Sequence, residues 1–275
     1  MRSAVKPGHR VRALGAGAVL ALSAVLATGC GVVGDSTVAE AVKQAVETPQ
    51  QKLLAATATS STAPYSYTVV QKGDPTDAIE FSGSVNPAGK AYDMKIVNTF
   101  DDSDGSLTLV YRIVDQKLWM KAKFTGASDL VEFPDKWMLV DPTRLTTDTI
   151  PTSFREYDVD PAQLNWLVTT TNDVTEGAGG KFSGTFDLTQ QPEMDVVGPA
   201  TRKALGEKAK ALPFTATVTS GKVTQFVLSV PATSASKAQT YTINYTGFGT
   251  VTPVVAPTAA ETAPTPDVLY EVLAG

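Results

Sequence analysis

The chain has 275 residues, with 23 basic and 28 acidic side chains and a formal net charge of −5. Because a nucleic-acid-binding face must be basic, this balance argues against a nucleic-acid partner. His9 is the only histidine and Cys30 the only cysteine. Beyond residue 30 the sequence therefore excludes Ser-His-Asp and Cys-His catalysis and zinc sites built from His or Cys. We expect no enzyme activity, no metal and no cofactor.

Residues 1–29 have the composition of a secretory signal peptide. They hold four basic residues and no acidic one, followed by an apolar run over 13–26 and small residues at 27–29. The run is shorter than the roughly 20 apolar residues that a transmembrane helix needs, so we expect it to be removed by cleavage.

Cleavage is expected directly before Cys30. Residues 27–30 resemble a bacterial lipobox, in which this cysteine receives a diacylglycerol and an N-acyl group, although Ala27 stands where Leu is most common. Such acyl chains together anchor a protein stably. The alternative is an ordinary signal peptide beside an unpaired cysteine, but a lone exposed thiol is a liability in an oxidising compartment. The sequence thus predicts a protein that is lipid-anchored at Cys30 on the extracytoplasmic face of the cell membrane.

The 246 residues from Cys30 onward fit one domain. They carry 19 basic and 28 acidic residues, a net charge of −9, and no second cysteine with which a disulfide could form within the chain. The fold must therefore rest on its hydrophobic core. We assign 30–36 as a tether and 37–253 as the domain. The segment 254–275, which is rich in Pro, Thr and Ala, is predicted to be a flexible tail.

Apolar residues recur at helical spacing in three places. In the first, 37–59, Thr48 before Pro49 is typical of an N-cap followed by proline at the first helical position, so a kink or two short helices are expected. The second follows Asp160-Pro161 and the third spans 197–212.

Period-two alternation of apolar residues predicts ten strands separated by turn signals. Strands this closely spaced indicate an antiparallel meander. Phe81-Ser82-Gly83-Ser84 and Phe182-Ser183-Gly184-Thr185 form a weak internal echo, which is either chance or the mark of a sheet with two similar halves. The predicted strands are 65–72, 78–86, 91–101, 107–115, 117–124, 136–141, 181–189, 214–219, 221–231 and 239–255.

Three short motifs fail as chemical sites. The acidic run 101–105 lacks the closing Glu and the register of an EF-hand loop, so a solvated hairpin turn is favoured. The Gly-rich run 177–181 lacks the Ser or Thr and the helix of a phosphate loop, so a hairpin loop is favoured. Ser234-x-x-Lys237 lies between strands, not at a helix start, and has no partner motif.

Trp119 and Trp137 stand in predicted strands beside lysines. Core packing, with lysine stems covering the ring edges, is the favoured interpretation. The wall of an apolar pocket is the alternative.

The order of elements over residues 37–257 resembles the LolA-like superfamily of envelope proteins, and most closely its actinobacterial LppX/LprG-type lipoproteins. The resemblance is carried by an ordered set of short segments rather than by one motif: an N-terminal helix after the acylated cysteine, Ser66-Tyr67 opening the meander, Leu118-Trp119-Met120-Lys121, Lys136-Trp137-Met138-Leu139-Val140-Asp141, Phe182-Ser183-Gly184-Thr185-Phe186-Asp187-Leu188-Thr189 and Tyr245-Thr246-Gly247-Phe248-Gly249 before Pro253.

This resemblance implies an α+β fold in which one strongly curved antiparallel β-sheet, a half-barrel, carries α-helices across its concave face. It also implies a monomer that binds or transfers acyl-chain lipid or glycolipid in an apolar cavity, and it supplies no catalytic residue. A structural or sensory envelope module that binds a protein partner is the alternative. Strand alternation and helix spacing nominate nine cavity residues, for each of which plain core packing is the simpler role: Tyr92, Met94, Ile96, Leu107, Leu109, Tyr111, Leu164, Leu167 and Leu205.

Overall fold

The structure is a computed structural model that describes residues 47–57, 61–73, 80–99, 105–126, 132–145, 154, 159–190 and 196–274. The chain divides into two compact units, 1–44 and 45–275, and only the second contains described residues. The predicted signal peptide, Cys30, the tether and the first part of the predicted N-terminal helix therefore lie outside the described residues.

In the part of the chain that the structure describes, twelve strands form one sheet in the order β12-β6-β5-β4-β3-β2-β1-β11-β10-β9-β8-β7. The strands are β1 (Tyr65–Lys72), β2 (Glu80–Asn86), β3 (Ala91–Thr99), β4 (Ser106–Val114), β5 (Lys117–Thr125), β6 (Trp137–Val140), β7 (Thr171–Gly177), β8 (Lys181–Phe186), β9 (Leu212–Thr219), β10 (Lys222–Val230), β11 (Gln239–Thr246) and β12 (Thr262–Ala263).

The sheet is open and almost wholly antiparallel. Its two edges are β12 and β7, and among the described pairings only β12 with β6 is parallel. The two meanders β1–β6 and β7–β11 meet where β1 pairs with β11, with Tyr67 opposite Tyr245. This confirms the predicted α+β class with a large antiparallel sheet.

Four α-helices occur among the described residues: α1 (Pro49–Ala55), α2 (Leu164–Thr169), α3 (Pro199–Leu205) and α4 (Asp267–Ala274). Helix α1 starts as predicted, because the Thr48 and Gln51 side chains form a capping box around Pro49 at the first turn. Helix α3 is shorter than the predicted 197–212. It ends at Leu205, because the next residue, Gly206, has a positive φ that breaks the helix where a 3-10 segment over Gly206–Lys210 begins.

The predicted strands are found with small shifts at their ends. Strand β11 stops at Thr246 instead of reaching residue 255, because Gly247 and Gly249 both adopt positive φ and turn the chain. Strand β7 was not predicted. It is an edge strand of mostly polar, exposed residues, so it shows no apolar alternation.

The segment predicted as a flexible tail contains regular structure. Thr262 and Ala263 pair with Trp137 and Met138 of β6, and the Thr265 hydroxyl donates to the Leu139 carbonyl at 2.6 Å. Helix α4 follows. The composition of residues 254–275 does not indicate these contacts, because the partner residues lie more than a hundred positions earlier in the chain.

Candidate functional site

An apolar face of the sheet is the candidate functional site. Residues that pair across antiparallel strands point to the same side, so the register shows which side chains share a face. Tyr67 is opposite Tyr245, Val85 is opposite Tyr92, and Phe226 is opposite Ile243. These side chains are buried, whereas the residues that alternate with them are largely exposed or polar. We call this side of the sheet the apolar face.

The structure brings the nine nominated residues together in one hydrophobic core. Register places Tyr92 opposite Ile113, Met94 opposite Tyr111, and Ile96 opposite Leu109 on the apolar face. Buried side chains of all four helices belong to the same core. The nominated residues from β3 and β4 are Tyr92, Met94, Ile96, Leu107, Leu109 and Tyr111; those from α2 and α3 are Leu164, Leu167 and Leu205.

Burial on the apolar face changes along the strands. At the end where tight turns join β2 to β3 and β4 to β5, which we call the turn end, Val85 and Tyr92 are fully buried. At the opposite end, the loop end, Ile96 and Phe124 are only partly buried. Phe133 stacks on Phe124 there, with ring centroids 6.0 Å apart. On strands β2–β5 the apolar face is therefore sealed at the turn end and less covered at the loop end, whereas on β8–β10 the loop-end residues Phe186, Leu212 and Val230 are buried.

Buried tyrosines add hydrogen-bonding groups to the apolar face. Burial raises the pKa of Tyr111 to about 12. Burial also raises the pKa of Tyr67, Tyr241 and Tyr245, and the charge of the buried Asp160 adds to the rise for each of these three. These phenols are thus neutral hydrogen-bonding groups at ordinary pH.

Sequence reasoning did not select the tyrosines of β1 and β11. Tyr65 and Tyr245 are buried, and their rings meet edge to face with centroids 5.6 Å apart. The regular alternation from Tyr65 to Gln71 on β1 was the signal that could have found them.

The internal echo corresponds to two similar environments. Gly83 lies opposite Tyr67 and Gly184 opposite Phe214, so in each copy an aromatic ring on the neighbouring strand lies beside a glycine. A Cβ at Gly83 would meet the Asp93 carbonyl at 1.9 Å, and one at Gly184 would meet the Asn172 carbonyl at 2.7 Å. The strands involved lie symmetrically about β11 and β10 in the sheet order.

Two of the clefts that the described residues line lie at the loop end, and most of their lining residues are on the side of the sheet opposite to the apolar face. The first, about 440 Å³, runs over β1–β3 between Lys72, Glu80 and Lys95. The second, about 510 Å³, lies against β9–β11, with Pro213 and Pro231 in its wall. Lys72 lines both clefts. Between them the apolar face ends in two buried amides, where Gln71 Nε2 donates to Gln239 Oε1 at 2.7 Å.

Trp119 and Trp137 lie on the side opposite to the apolar face. The register pairs Trp119 with Arg112 and Leu139, whereas its neighbours Leu118 and Met120 belong to the core. The guanidinium carbon of Arg112 lies 4.3 Å from the Trp137 ring centroid. The Trp137 ring also lies 5.3 Å from Lys121 Nζ, as the favoured packing beside lysine predicts, but both tryptophans are outside the hydrophobic core and neither lines the apolar face.

The C-terminal segment reaches this opposite side. Arg112 binds Asp93 through two hydrogen bonds of 2.7 and 2.8 Å and also donates to the Val255 carbonyl. Hydrogen bonds from Thr258, with the charges of Arg112 and Lys121, lower the pKa of Glu261. The two tryptophans are buried although they lie outside the apolar face.

The motifs set aside in the sequence lie in loops. Residues 177–181 connect β7 to β8 as a hairpin, and Ser234 and Lys237 are exposed between β10 and β11. Of the acidic run 101–105, only Gly105 is among the described residues. Within the described ranges, no group of three or more His, Cys, Asp or Glu side chains could hold a metal ion.

No family model matches the chain, and no curated protein matches it either. Among the residues that the structure describes, no helix is long and apolar enough to cross a membrane.

Proposed function

We propose that this chain is a membrane-anchored lipoprotein of the extracytoplasmic face that binds or transfers acyl-chain lipid through the apolar face of its sheet. The protein is held at Cys30 by its acyl chains, and the domain works by binding rather than by catalysis. It is a monomer that takes up a lipid or glycolipid.

One observation carries this proposal: the apolar face extends across both meanders and, on β2–β5, is less covered toward the loop end. Partly buried Phe81, Ile96 and Phe124 at the loop end offer apolar surface to a chain that enters there. Binding of an acyl chain requires apolar burial and no reactive group, which suits a chain whose only cysteine is the predicted anchor.

The proposal includes the finer shape that the LppX/LprG-type resemblance implies. The sheet curves strongly into a half-barrel, and α1, α2 and α3 lie across its concave face. In that arrangement the nominated residues line a cavity between sheet and helices, and the loop end is its mouth.

Native mass spectrometry of the full chain carrying Cys30→Ser, expressed in a lipid-producing host, tests the proposal. We expect a mass increment that matches one lipid and disappears after extraction with organic solvent. Recovery of the unliganded mass alone, together with capture of a stoichiometric protein partner, would instead support the structural or sensory module.

A further inference from the structure

The charged side chains of the first meander lie on one side of the sheet. Strands β1–β6 carry six basic and two acidic side chains, although the sequence from Cys30 onward has a net charge of −9. Strand alternation places all eight on the side opposite to the apolar face, which we call the outer side. The outer surface of these strands is therefore basic in an otherwise acidic chain.

Two neighbouring rows of outer-side residues on β3, β4 and β5 contain no acidic side chain. Each row crosses three hydrogen-bonded strands, which are about 4.8 Å apart, so the backbones of β3 and β5 are roughly 10 Å from each other. None of the six residues is buried. We call them the basic grid, and its rows are Lys95–Val110–Lys121 and Val97–Thr108–Lys123.

Close ion pairs within the described residues do not neutralise the lysines of the basic grid. Lys95 and Lys123 form no ion pair there, and Lys121 Nζ lies 3.6 Å from a carboxylate oxygen of Asp135, whose side chain is fully exposed. Asp93, the acidic residue of β3, already accepts two hydrogen bonds from a guanidinium. Three neighbouring ammonium groups are thus available to an anionic partner.

The same surface offers an apolar side chain and hydroxyl groups. Val97 is 46% exposed and, with Lys95, lines the 440 Å³ cleft, in which Glu80 is accompanied by Lys72. Lysines beside an exposed apolar side chain suit the interface of an anionic bilayer, where cations meet the head groups and apolar groups reach the acyl boundary. The next row toward the loop end adds three hydroxyl groups, those of Thr99, Ser106 and Thr125.

We propose that the basic grid docks the domain on the anionic head groups of the membrane. Lys95, Lys121 and Lys123 attract head-group phosphates, and Val97 enters the interface. Anionic lipid fits better than an acidic protein, because the predicted anchor at Cys30 keeps the domain beside a membrane, where weak attraction by each lysine is enough. The inference rests on the membrane anchor of the proposed function. It adds an orientation that holds the loop end, the proposed mouth, near the bilayer.

Methyl NMR of the full anchored protein in nanodiscs tests this orientation. The discs contain equal parts of phosphatidylglycerol and phosphatidylcholine, with a trace of lipid whose head group carries a gadolinium chelate. We expect broadening of the Val97 methyl signals, whereas Val227 on the outer side of β10 should stay sharp. Discs of phosphatidylcholine alone, or added salt, should remove the broadening, because the attraction is electrostatic. The Cys30→Ser chain should show the same pattern at lower occupancy, so the result does not depend on acylation.

Two substitutions on β5 separate the basic grid from its surroundings. Lys123→Gln and Lys117→Gln remove the same charge from the same side of one strand, at exposed positions where both variants should fold. Lys117 lies roughly 20 Å along the strand from Lys123, about twice the Debye length of a dilute salt buffer. Lys123→Gln should lower the docking equilibrium constant about fivefold, as the loss of one lysine at an anionic surface implies, and Lys117→Gln should leave it unchanged.

Absence of broadening at Val97, as repulsion by the acidic residues at 101, 102 and 104 would cause, would overturn the docking surface. Equal broadening of Val97 and Val227 would overturn it too. Shifts of the grid signals with polyglutamate but not with anionic discs would show an acidic protein partner and exclude membrane docking. If native mass spectrometry recovers lipid while Val97 is unaffected, only the docking surface falls. If both fail, the proposed function falls with it.

Discussion

Tyr67 shows how single residues shape the apolar face. Its hydroxyl donates to the Asp93 carbonyl at 3.0 Å, reaching past Gly83 on the strand between them. A side chain at Gly83 would occupy the space of both groups. The glycine therefore leaves room for the buried Tyr67 hydroxyl to reach its hydrogen-bond acceptor on the apolar face.

Gly83→Ala should destabilise the fold by about 1–3 kcal/mol, because the new Cβ would lie 1.9 Å from the Asp93 carbonyl oxygen and the backbone must shift. Urea unfolding measures the change. Gly177→Ala is the control, since its Cβ would make only ordinary contacts at 3.6 Å and beyond. Equal stability of the two variants would contradict the close approach at Gly83.

The buried tyrosines predict alkaline sensitivity. Tyr111, Tyr67, Tyr241 and Tyr245 have raised pKa values in the folded protein, whereas unfolded tyrosine ionises near 10.0. Above that pH the unfolded chain loses phenolic protons that the folded chain keeps, so stability falls as pH rises. The stabilising contribution is complete below pH 10 and declines toward about 12, the pKa of Tyr111.

Absorbance of the phenolate measures this directly. In the folded protein the four tyrosines should ionise only well above pH 10, whereas tyrosine in the denatured chain titrates near its ordinary pKa. Full ionisation of every tyrosine at pH 10 without loss of structure would show that these side chains are not buried as described.

At the scale of elements, the C-terminal segment holds the β6 edge of the sheet. Tyr270 is its anchor. The Asp141 backbone N–H donates to the Tyr270 hydroxyl at 3.0 Å, and the Arg144 guanidinium lies 3.7 Å from the ring centroid. Arg144 also forms an ion pair of 2.9 Å with Asp267. Residues 141–144, which follow β6, therefore contact the start of α4.

Two replacements of Tyr270 should separate the contribution of its hydroxyl to stability from that of its ring. Tyr270→Phe removes only the hydrogen bond and should cost about 0.5–1.5 kcal/mol of unfolding free energy. Tyr270→Ala also removes a buried ring under Arg144 and should cost about 3–5 kcal/mol. Chemical denaturation measures both changes in unfolding free energy, and hydrogen exchange at the Asp141 amide reports whether its contact with residue 270 is lost. Unchanged exchange at Asp141 in Tyr270→Ala would mean that α4 does not dock there.

The elements also show what the sequence could predict. Strands β1–β6 and β8–β11 have local alternation and turn signals, so their existence and neighbours followed from the sequence. Strand β7 is polar and β12 has two residues, and neither carries a local signal. Leu118, Trp119 and Met120 are buried in succession because both sides of the sheet are covered there, which alternation alone could not show.

The candidate site was predictable only in part. Alternation on β3 and β4 selected residues that do share the apolar face. It missed Gln71 and Gln239, because a polar residue at an inward position is read as an exception until the structure shows its burial. The clefts depend on the join between β1 and β11, which lie far apart in the chain.

At the scale of the whole molecule, Cys30 and the apolar face have to act together. The full chain should fractionate with membranes and take up a labelled fatty acid, whereas Cys30→Ser should lose the label and the stable association. Cys30→Ala, which also lacks the thiol, is a second variant with the same expected result. Membrane retention of an unlabelled Cys30→Ser chain would favour anchoring by the uncleaved N-terminal segment.

Binding of an acyl chain on the apolar face is the central claim, and paramagnetic broadening in methyl NMR spectra with a spin-labelled fatty acid tests it most directly. We predict broadening of the Ile96 and Leu109 methyl signals, which lie at the loop end of that face. Leu139 is the internal control because it is 52% exposed on the other side. Broadening of Leu139 with Ile96 and Leu109 unaffected would contradict the account.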